Sequence, residues 1–303
     1  SDRVFFCNSG AEAVEGAIKV ARKFHSSAGN KERNEIITFK NSFHGRTLAT
    51  LAAASNSSHM DGFSPIPPGF LNIPLDEDYL KKNITNKTAA ILIEPVQGEG
   101  GINPVPDEFL ILIRRLCDEN NILMILDQVQ CGMGRTGKLF SHEWSGIEPD
   151  IITLAKGLGA GFPIGAVLSS ENASKGMSHG SHGSTFGGNP VGCSIALKVL
   201  DLIEKEDILL NVNQASKVLF QELERLVEKH HNKILGVRGK GLMVGVECHE
   251  KNSIITDLAF EQGLLLVNAS NNIVRFLPPL NISEVDIFEA IKKFDEALSN
   301  LDI

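Results

Sequence analysis

The residues with the most to say about chemistry end apolar runs or start helices. Lys156 stands in Thr153-Leu154-Ala155-Lys156-Gly157-Leu158-Gly159, with apolar residues before it and glycines after. A lysine held there is partly desolvated, which favours the neutral, nucleophilic amine; strand-end lysines also commonly snorkel to water. Asp127 closes the run 123–126 with no basic neighbour in sequence. It is either a cap or turn carboxylate or a buried acid that needs a cation, and a protonated pyridine nitrogen would serve. Asn8-Ser9-Gly10-Ala11-Glu12 joins a strand pattern to a helix pattern. Such a turn either offers N–H groups at a positive helix end to a phosphate or is a plain cap, with Ser9 capping and Glu12 favouring the dipole. Glu94-Pro95 closes a further apolar run. Together a lysine amine, a buried acid and a phosphate cradle are the three anchors of pyridoxal phosphate. That combination is far more specific than any of its parts.

The elements that must position these residues are legible as pattern. Residues 4–7, 35–39, 89–93, 123–126, 151–154 and 164–168 read as short apolar strands. Helical periodicity covers 11–24, with Val14, Ala17, Ile18 and Ala21 on one face, and 107–121. Strands that are apolar throughout and interleaved with helices predict an α/β fold, a mostly parallel sheet with helices on both faces. In such sheets ligands bind beyond the carboxyl ends of the strands, where Asn8, Glu94, Asp127 and Lys156 all fall. From Pro190 to about His231 the chain is mostly helical. Short strands at 244–247, 264–267 and 274–277 then mix with helices at 254–262 and 284–298. The change of texture predicts a large domain over residues 1–200 and a smaller α+β domain over 201–303.

Composition narrows the classes. The chain has 303 residues, roughly two domains' worth. With 42% hydrophobic and 22% charged residues it is globular in composition. Its net charge of −8 disfavours a general nucleic-acid or anionic-membrane surface. No apolar run approaches the ~18 residues of a membrane span, and no secretory signal opens the chain. Cys7, Cys117, Cys131, Cys193 and Cys248 form no C-x-x-C pair, a pattern of reduced thiols in a cytoplasm. Gly132-Met133-Gly134-Arg135-Thr136-Gly137-Lys138 satisfies G-x-G-x-x-G and nearly a P-loop, but Leu139 takes the place of the Mg²⁺-binding hydroxyl. No convincing helix follows, which removes the dinucleotide reading too. His179 and His182 lack a nearby Asp, Glu or Cys, so no metal is expected.

At this point the chain resembles a known family, the class III pyridoxal-phosphate-dependent aminotransferases, and within it the acetylornithine branch. The matching segments are Val4-Phe5-Phe6-Cys7-Asn8-Ser9-Gly10-Ala11-Glu12-Ala13, Phe43-His44-Gly45-Arg46-Thr47 and Glu94-Pro95-Val96-Gln97-Gly98-Glu99-Gly100-Gly101. They continue with 127–137, Ala155-Lys156-Gly157, 182–190 and Val274-Arg275-Phe276-Leu277-Pro278-Pro279-Leu280. Their order and spacing span essentially the whole chain. They are highly specific for the class and less so for the substrate.

The resemblance implies the fold type I architecture of pyridoxal-phosphate enzymes, with Lys156 carrying pyridoxal 5'-phosphate and shuttling the proton. It implies Asp127 on the pyridinium nitrogen, with Gln128 and Val129 beside it. Gln130 would approach the phenolic oxygen, Phe43 stack on the ring, and Gly10 and Ala11 give N–H groups to the phosphate. Thr185 would reach the phosphate of a neighbouring subunit in a homodimer, with Ser184 beside the substrate. Arg46 would grip the α-carboxylate of N-acetylornithine. Arg275 would take that of glutamate or 2-oxoglutarate, with Glu99 masking it in the other half-reaction. The implied reaction moves the terminal amino group of N2-acetyl-L-ornithine to 2-oxoglutarate, a step of arginine biosynthesis. Ornithine, succinylornithine or 4-aminobutyrate as donor is the alternative, as is a non-catalytic cofactor-binding protein. Two departures stand out. Gln128 replaces the family's usual Glu, and the family carries a further segment ahead of Asn8-Ser9-Gly10.

Overall fold

The structure is a computed structural model and describes residues 1–54 and 56–301. Its chain divides into two compact units: Ser1–Pro95 with Val105–Met133 and His142–Asp201, and Val96–Pro104 with Gly134–Ser141 and Leu202–Ile303. The second unit therefore takes two excursions that the division at 200 assigned to the large domain. One is explained by pairing, since Val96–Gln97 and Asn103–Pro104 form a two-stranded ribbon that packs on a strand of that unit.

The first unit is built on seven strands: β1 (Arg3–Cys7), β2 (Glu35–Phe39), β3 (Phe70–Ile73), β4 (Thr88–Ile93), β5 (Leu123–Asp127), β6 (Ile151–Leu154) and β7 (Gly165–Ser169). Their order is β1-β7-β6-β5-β4-β2-β3, and the pairs along β6-β5-β4-β2-β3 are parallel. β7 runs antiparallel to both of its neighbours. Every residue of β4, β5 and β6 is buried, because alternate side chains enter two different cores. Leu92, Ile125 and Ile151 pack with Val14, Ala17 and Ile18 of helix α1 (Gly10–Ser27). Ile91, Ile93, Met124 and Leu126 pack with Leu110 and Ile113 of helix α2 (Asp107–Asn120). β3 was not expected: four residues at the sheet edge, three of them half-buried, give little periodic signal.

The second unit holds β8 (Ile234–Lys240), β9 (Met243–Cys248), β10 (Val267–Ala269) and β11 (Ile273–Phe276), antiparallel in the order β8-β9-β11-β10. Leu219, Leu223 and Leu226 of the helix Ile208–Lys229 cover it together with Ile287, Ile291 and Phe294 of the helix Glu284–Ser299. The strand predicted at 264–267 lies later in the chain. Leu264, Leu265 and Leu266 form no ladder, and pairing to β11 starts only at Val267. Here the glycine-rich motif finds its role. Arg135 accepts from Leu242 N and donates to the carbonyls of Leu242 and Pro278, clamping the β8–β9 turn. Gly137, at φ +90°, packs against the Asn213 amide where a side chain would collide. The segment is a structural clamp of this unit.

Leu92 is fully buried in the middle of the first core. Leu92→Ala should lower stability by about 3 kcal/mol, seen as an earlier urea or thermal transition with the native near-ultraviolet signal intact beforehand.

Candidate active site

The carboxyl ends of β1, β4, β5 and β6 open on one cavity of about 700 Å³. It is lined by Asn8, Gly10, Ala11, Phe43, His44, Arg46, Glu94, Asp127, Val129, Gln130 and Lys156, among others. The parallel sheet brings these groups together because each strand delivers its last residue to the same edge.

At the end of β1 the helix start is capped and its first N–H groups are left open. Ser9 caps α1, its hydroxyl accepting from Glu12 N at 3.2 Å, and Glu12 reaches back to the Asn8 N–H. The N–H groups of Gly10 and Ala11 take no partner among the described residues and line the cavity. They point an anion site at the positive end of an 18-residue helix. Gly10 is required by a close approach: a Cβ there would lie 2.7 Å from Val129 Cγ1.

At the end of β5, Asp127 is 4% exposed. Its Oδ1 accepts from Val129 N and Thr153 Oγ1, each at 3.1 Å, and its Oδ2 pairs with His44 Nδ1 at 2.8 Å. A carboxylate has about four lone-pair sites, so Oδ2 retains one, and Asp127 lines the cavity. His44, absent from the sequence-based roles, supplies the partner that the local sequence lacked. It lies 83 residues away on a loop, where no periodicity marks it. Glu94, 5% exposed, accepts from Phe43 N at 2.9 Å and so fixes the loop carrying Phe43 and His44. Arg46 is exposed at the rim, its guanidinium 5.5 Å from the Phe43 ring centre.

At the end of β6 the chain reverses through Lys156 at φ +42°. Left-handed backbone is unfavourable for a side-chain-bearing residue and clusters at functional sites. The reversal carries Lys156 out of the buried run Ile151–Leu154, and it stands exposed in the cavity. The partial desolvation expected from its flanks is therefore not observed.

One further expectation changes. Gln128 does not line the cavity. Adjacent residues of an extended chain point to opposite sides, and Gln128 is fully buried with Nε2 2.8 Å from His142 Nδ1. Burial lowers the pKa of His142, which suits a neutral amide–imidazole pair. Thr185 and Ser184 line a different, smaller cavity with Cys7, Asn8, Glu12 and Glu15, although Ser184 Oγ lies 3.1 Å from Asn8 Nδ2. Burial pushes the Cys7 thiol up to about 11, so it is no competing nucleophile. Arg275 and Glu99 both belong to the second unit, where they pair at 2.7 Å. The Glu99 loop is tied down by Ser270 N to Glu99 O and by Arg238 to Gly101 O. No group of three or more metal-binding side chains occurs among the described residues.

These residues fit a phosphate-bearing pyridinium: open N–H groups at a helix start, one open carboxylate lone pair, an aromatic ring and an amine on one cavity. Comparison with known proteins carries the assignment further. Residues 1–298 match the family described as aminotransferase class-III. The chain belongs to that family. This class-III aminotransferase is 47% identical to the acetylornithine aminotransferase of Brucella melitensis, covering all of this chain and 75% of that protein. It is 50% identical to the acetylornithine aminotransferase of Methanocaldococcus jannaschii, with 99% and 75% covered. Among solved structures it is similar to the N-acetylornithine aminotransferase of Stenotrophomonas maltophilia (TM-score 0.84, 38% identity, 99% and 75% covered). The ornithine aminotransferase of Toxoplasma gondii superposes with a TM-score of 0.92 at 31% identity, 98% and 73% covered.

In this class-III aminotransferase, Gly10→Ala should force Val129 to shift, and with it the N–H that holds Asp127. Overpacking of this kind costs about 1–3 kcal/mol. Titration with pyridoxal phosphate should show binding weakened about tenfold or more.

Proposed function

We propose that this enzyme transfers the terminal amino group of N2-acetyl-L-ornithine to 2-oxoglutarate, giving N-acetyl-L-glutamate 5-semialdehyde and L-glutamate. The observation carrying this reading is the 47–50% identity, over essentially the whole chain, to acetylornithine aminotransferases of distant organisms. Its cofactor is pyridoxal 5'-phosphate, held by Lys156, Asp127, Gly10, Ala11, Phe43, Val129 and Gln130. Once bound, that cofactor supplies the electron sink that lets a carbon next to nitrogen lose its proton.

The chain's own residues do the rest. Asp127 fixes one end of the ring site, while the Gly10 and Ala11 N–H groups fix the phosphate end. Lys156 is the lysine among the residues lining the cavity. Its Nζ takes up the proton leaving the amine-bearing carbon of the substrate and passes it on within the same half-reaction, ending that half-reaction free to act again. Arg46, exposed at the rim, offers a planar fork for the substrate α-carboxylate. Arg275 offers a second fork for the carboxylate of 2-oxoglutarate. Glu99 holds that fork when the bound substrate arm is uncharged and releases it when the arm is anionic.

The assembly we propose is a homodimer in which Thr185 serves the phosphate of a second copy. In support, Thr185 is exposed and lies off the Lys156 cavity of its own chain, and Phe186, Val191 and Leu197 are exposed apolar side chains. A cytoplasmic location accords with five free cysteines and with the absence, among the described residues, of a helix long and apolar enough to cross a membrane.

Adding N-acetylornithine to the holoenzyme should abolish the visible band of the bound cofactor, and 2-oxoglutarate should restore it; a band indifferent to both rules the reaction out. Lys156→Ala should lose turnover by about a thousandfold or more. Arg275→Ala should raise KM for 2-oxoglutarate by about tenfold to a hundredfold with less effect on KM for the amino donor. Equal effects on both would remove the assigned role.

A further inference from the structure

Arg46 stands exposed at the rim of the Lys156 cavity, where a long side chain ordinarily samples many rotamers. Two neighbours limit that freedom. Its guanidinium carbon lies 5.5 Å from the Phe43 ring centre, within cation–π range. Its Nη2 also lies 3.2 Å from Nε2 of His59, a half-buried residue 13 positions farther along the chain, in the helical turn Ser57–Met60. The His59 ring in turn meets the Phe43 ring edge-on, with centroids 6.1 Å apart and planes at 87°. Phe43 and Arg46 line the cavity, and His59 backs them both. The donors fix the sense of the contact. A guanidinium only donates, so Nε2 of His59 accepts. The Asn56 amide agrees: its Oδ1 accepts from Ser58 N at 3.0 Å and from Ser58 Oγ at 2.6 Å, which turns its NH2 to the same Nε2 at 3.4 Å. The imidazole is therefore neutral, with its proton on Nδ1. One of the five N–H groups of Arg46 is engaged, which leaves one complete two-pronged face for a carboxylate.

We propose that His59 is a positioning residue for the amino donor: a neutral imidazole that holds the Arg46 fork against the Phe43 ring, ready for the donor's α-carboxylate. The inference rests on the reading of Arg46 as the fork for that carboxylate. His59 acts through Arg46 and not on the reacting atoms. Holding the fork before the substrate arrives removes part of the rotamer entropy that binding would otherwise lose, so the contribution falls on affinity for the donor. 2-Oxoglutarate, assigned to Arg275, gains nothing from it. Ring packing on Phe43 is open to any flat side chain; the acceptor at Nε2 is what the imidazole adds.

The test compares steady-state kinetics of wild-type holoenzyme with His59→Phe, which keeps a ring against Phe43 but has no acceptor, and with His59→Gln, whose amide oxygen accepts in place of Nε2. In His59→Phe the KM for N-acetylornithine should rise about threefold to tenfold, with kcat and the KM for 2-oxoglutarate unchanged. His59→Gln should stay close to wild type. On an Arg46→Ala background, which itself should raise the donor KM, His59→Phe should add nothing. The inference is overturned by a donor KM that His59→Phe leaves at the wild-type value, by an equal rise for both substrates, or by the same rise on the Arg46→Ala background. A His59→Gln protein as impaired as His59→Phe overturns it too. Should the variants fail to fold, ¹⁵N-histidine spectra of the wild-type holoenzyme decide: a proton on Nδ1 alone is the expected result, and a proton on Nε2 is the contrary one. Failure of the functional reading has a different signature. It shows as an Arg46→Ala protein with an unchanged donor KM, or as a wild-type cofactor band that ignores the donor.

Discussion

A carboxylate buried at the end of a strand that is itself buried on both faces is the constraint on which this site depends. Asp127 is 4% exposed where β5 puts it, so the surrounding chain has to satisfy most of it. The Val129 N–H and the Thr153 hydroxyl take one oxygen and His44 takes the other. Thr153 comes from the neighbouring strand β6, which two residues later places the left-handed turn at Lys156. Val129 in turn presses on Gly10, which opens the helix whose first N–H groups are free. One buried acid thus links the positions of its own strand end, the lysine turn and the open N–H groups of the helix start.

The same parallel sheet explains why these residues were legible in the sequence. Strands buried on both faces read as continuous apolar runs, and a polar residue ending such a run stands out. Asn8, Glu94, Asp127 and Lys156 were found that way, and the structure gathers all four at one cavity. The helix start at Ser9 was legible as both cap and cradle. The cap is present, and it leaves room for the cradle, because the hydroxyl satisfies Glu12 N while the N–H groups before it stay open. Gln128, which the resemblance puts beside Asp127 at the cofactor, lies in the core instead, as strand alternation next to Asp127 dictates.

What was not legible depends on long sequence separation or on irregular backbone. The pairing of His44 with Asp127 spans 83 residues, and the loop that carries His44 has neither helical nor strand period. The excursions 96–104 and 134–141 belong to the second unit through tertiary pairing, so a division made on texture along the chain passes over them. β8, with Gly236 and Gly239, and the edge strands β3 and β10 are too short or too diluted to announce themselves. The exposure of Lys156 follows from a positive φ that its neighbours do not dictate.

The proposed cofactor site rests on the Asp127 carboxylate meeting a protonated ring nitrogen. Its most direct test is the relative affinity of the wild-type protein for pyridoxal phosphate and for the analogue with C–H in place of that nitrogen. The two ligands share the phosphate, the ring area and the aldehyde, so the ratio isolates the contact at Asp127. A charge-assisted hydrogen bond in a buried site predicts a preference for the natural cofactor of about tenfold or more. Equal affinity would mean that the buried carboxylate serves His44 alone, and would contradict the central claim.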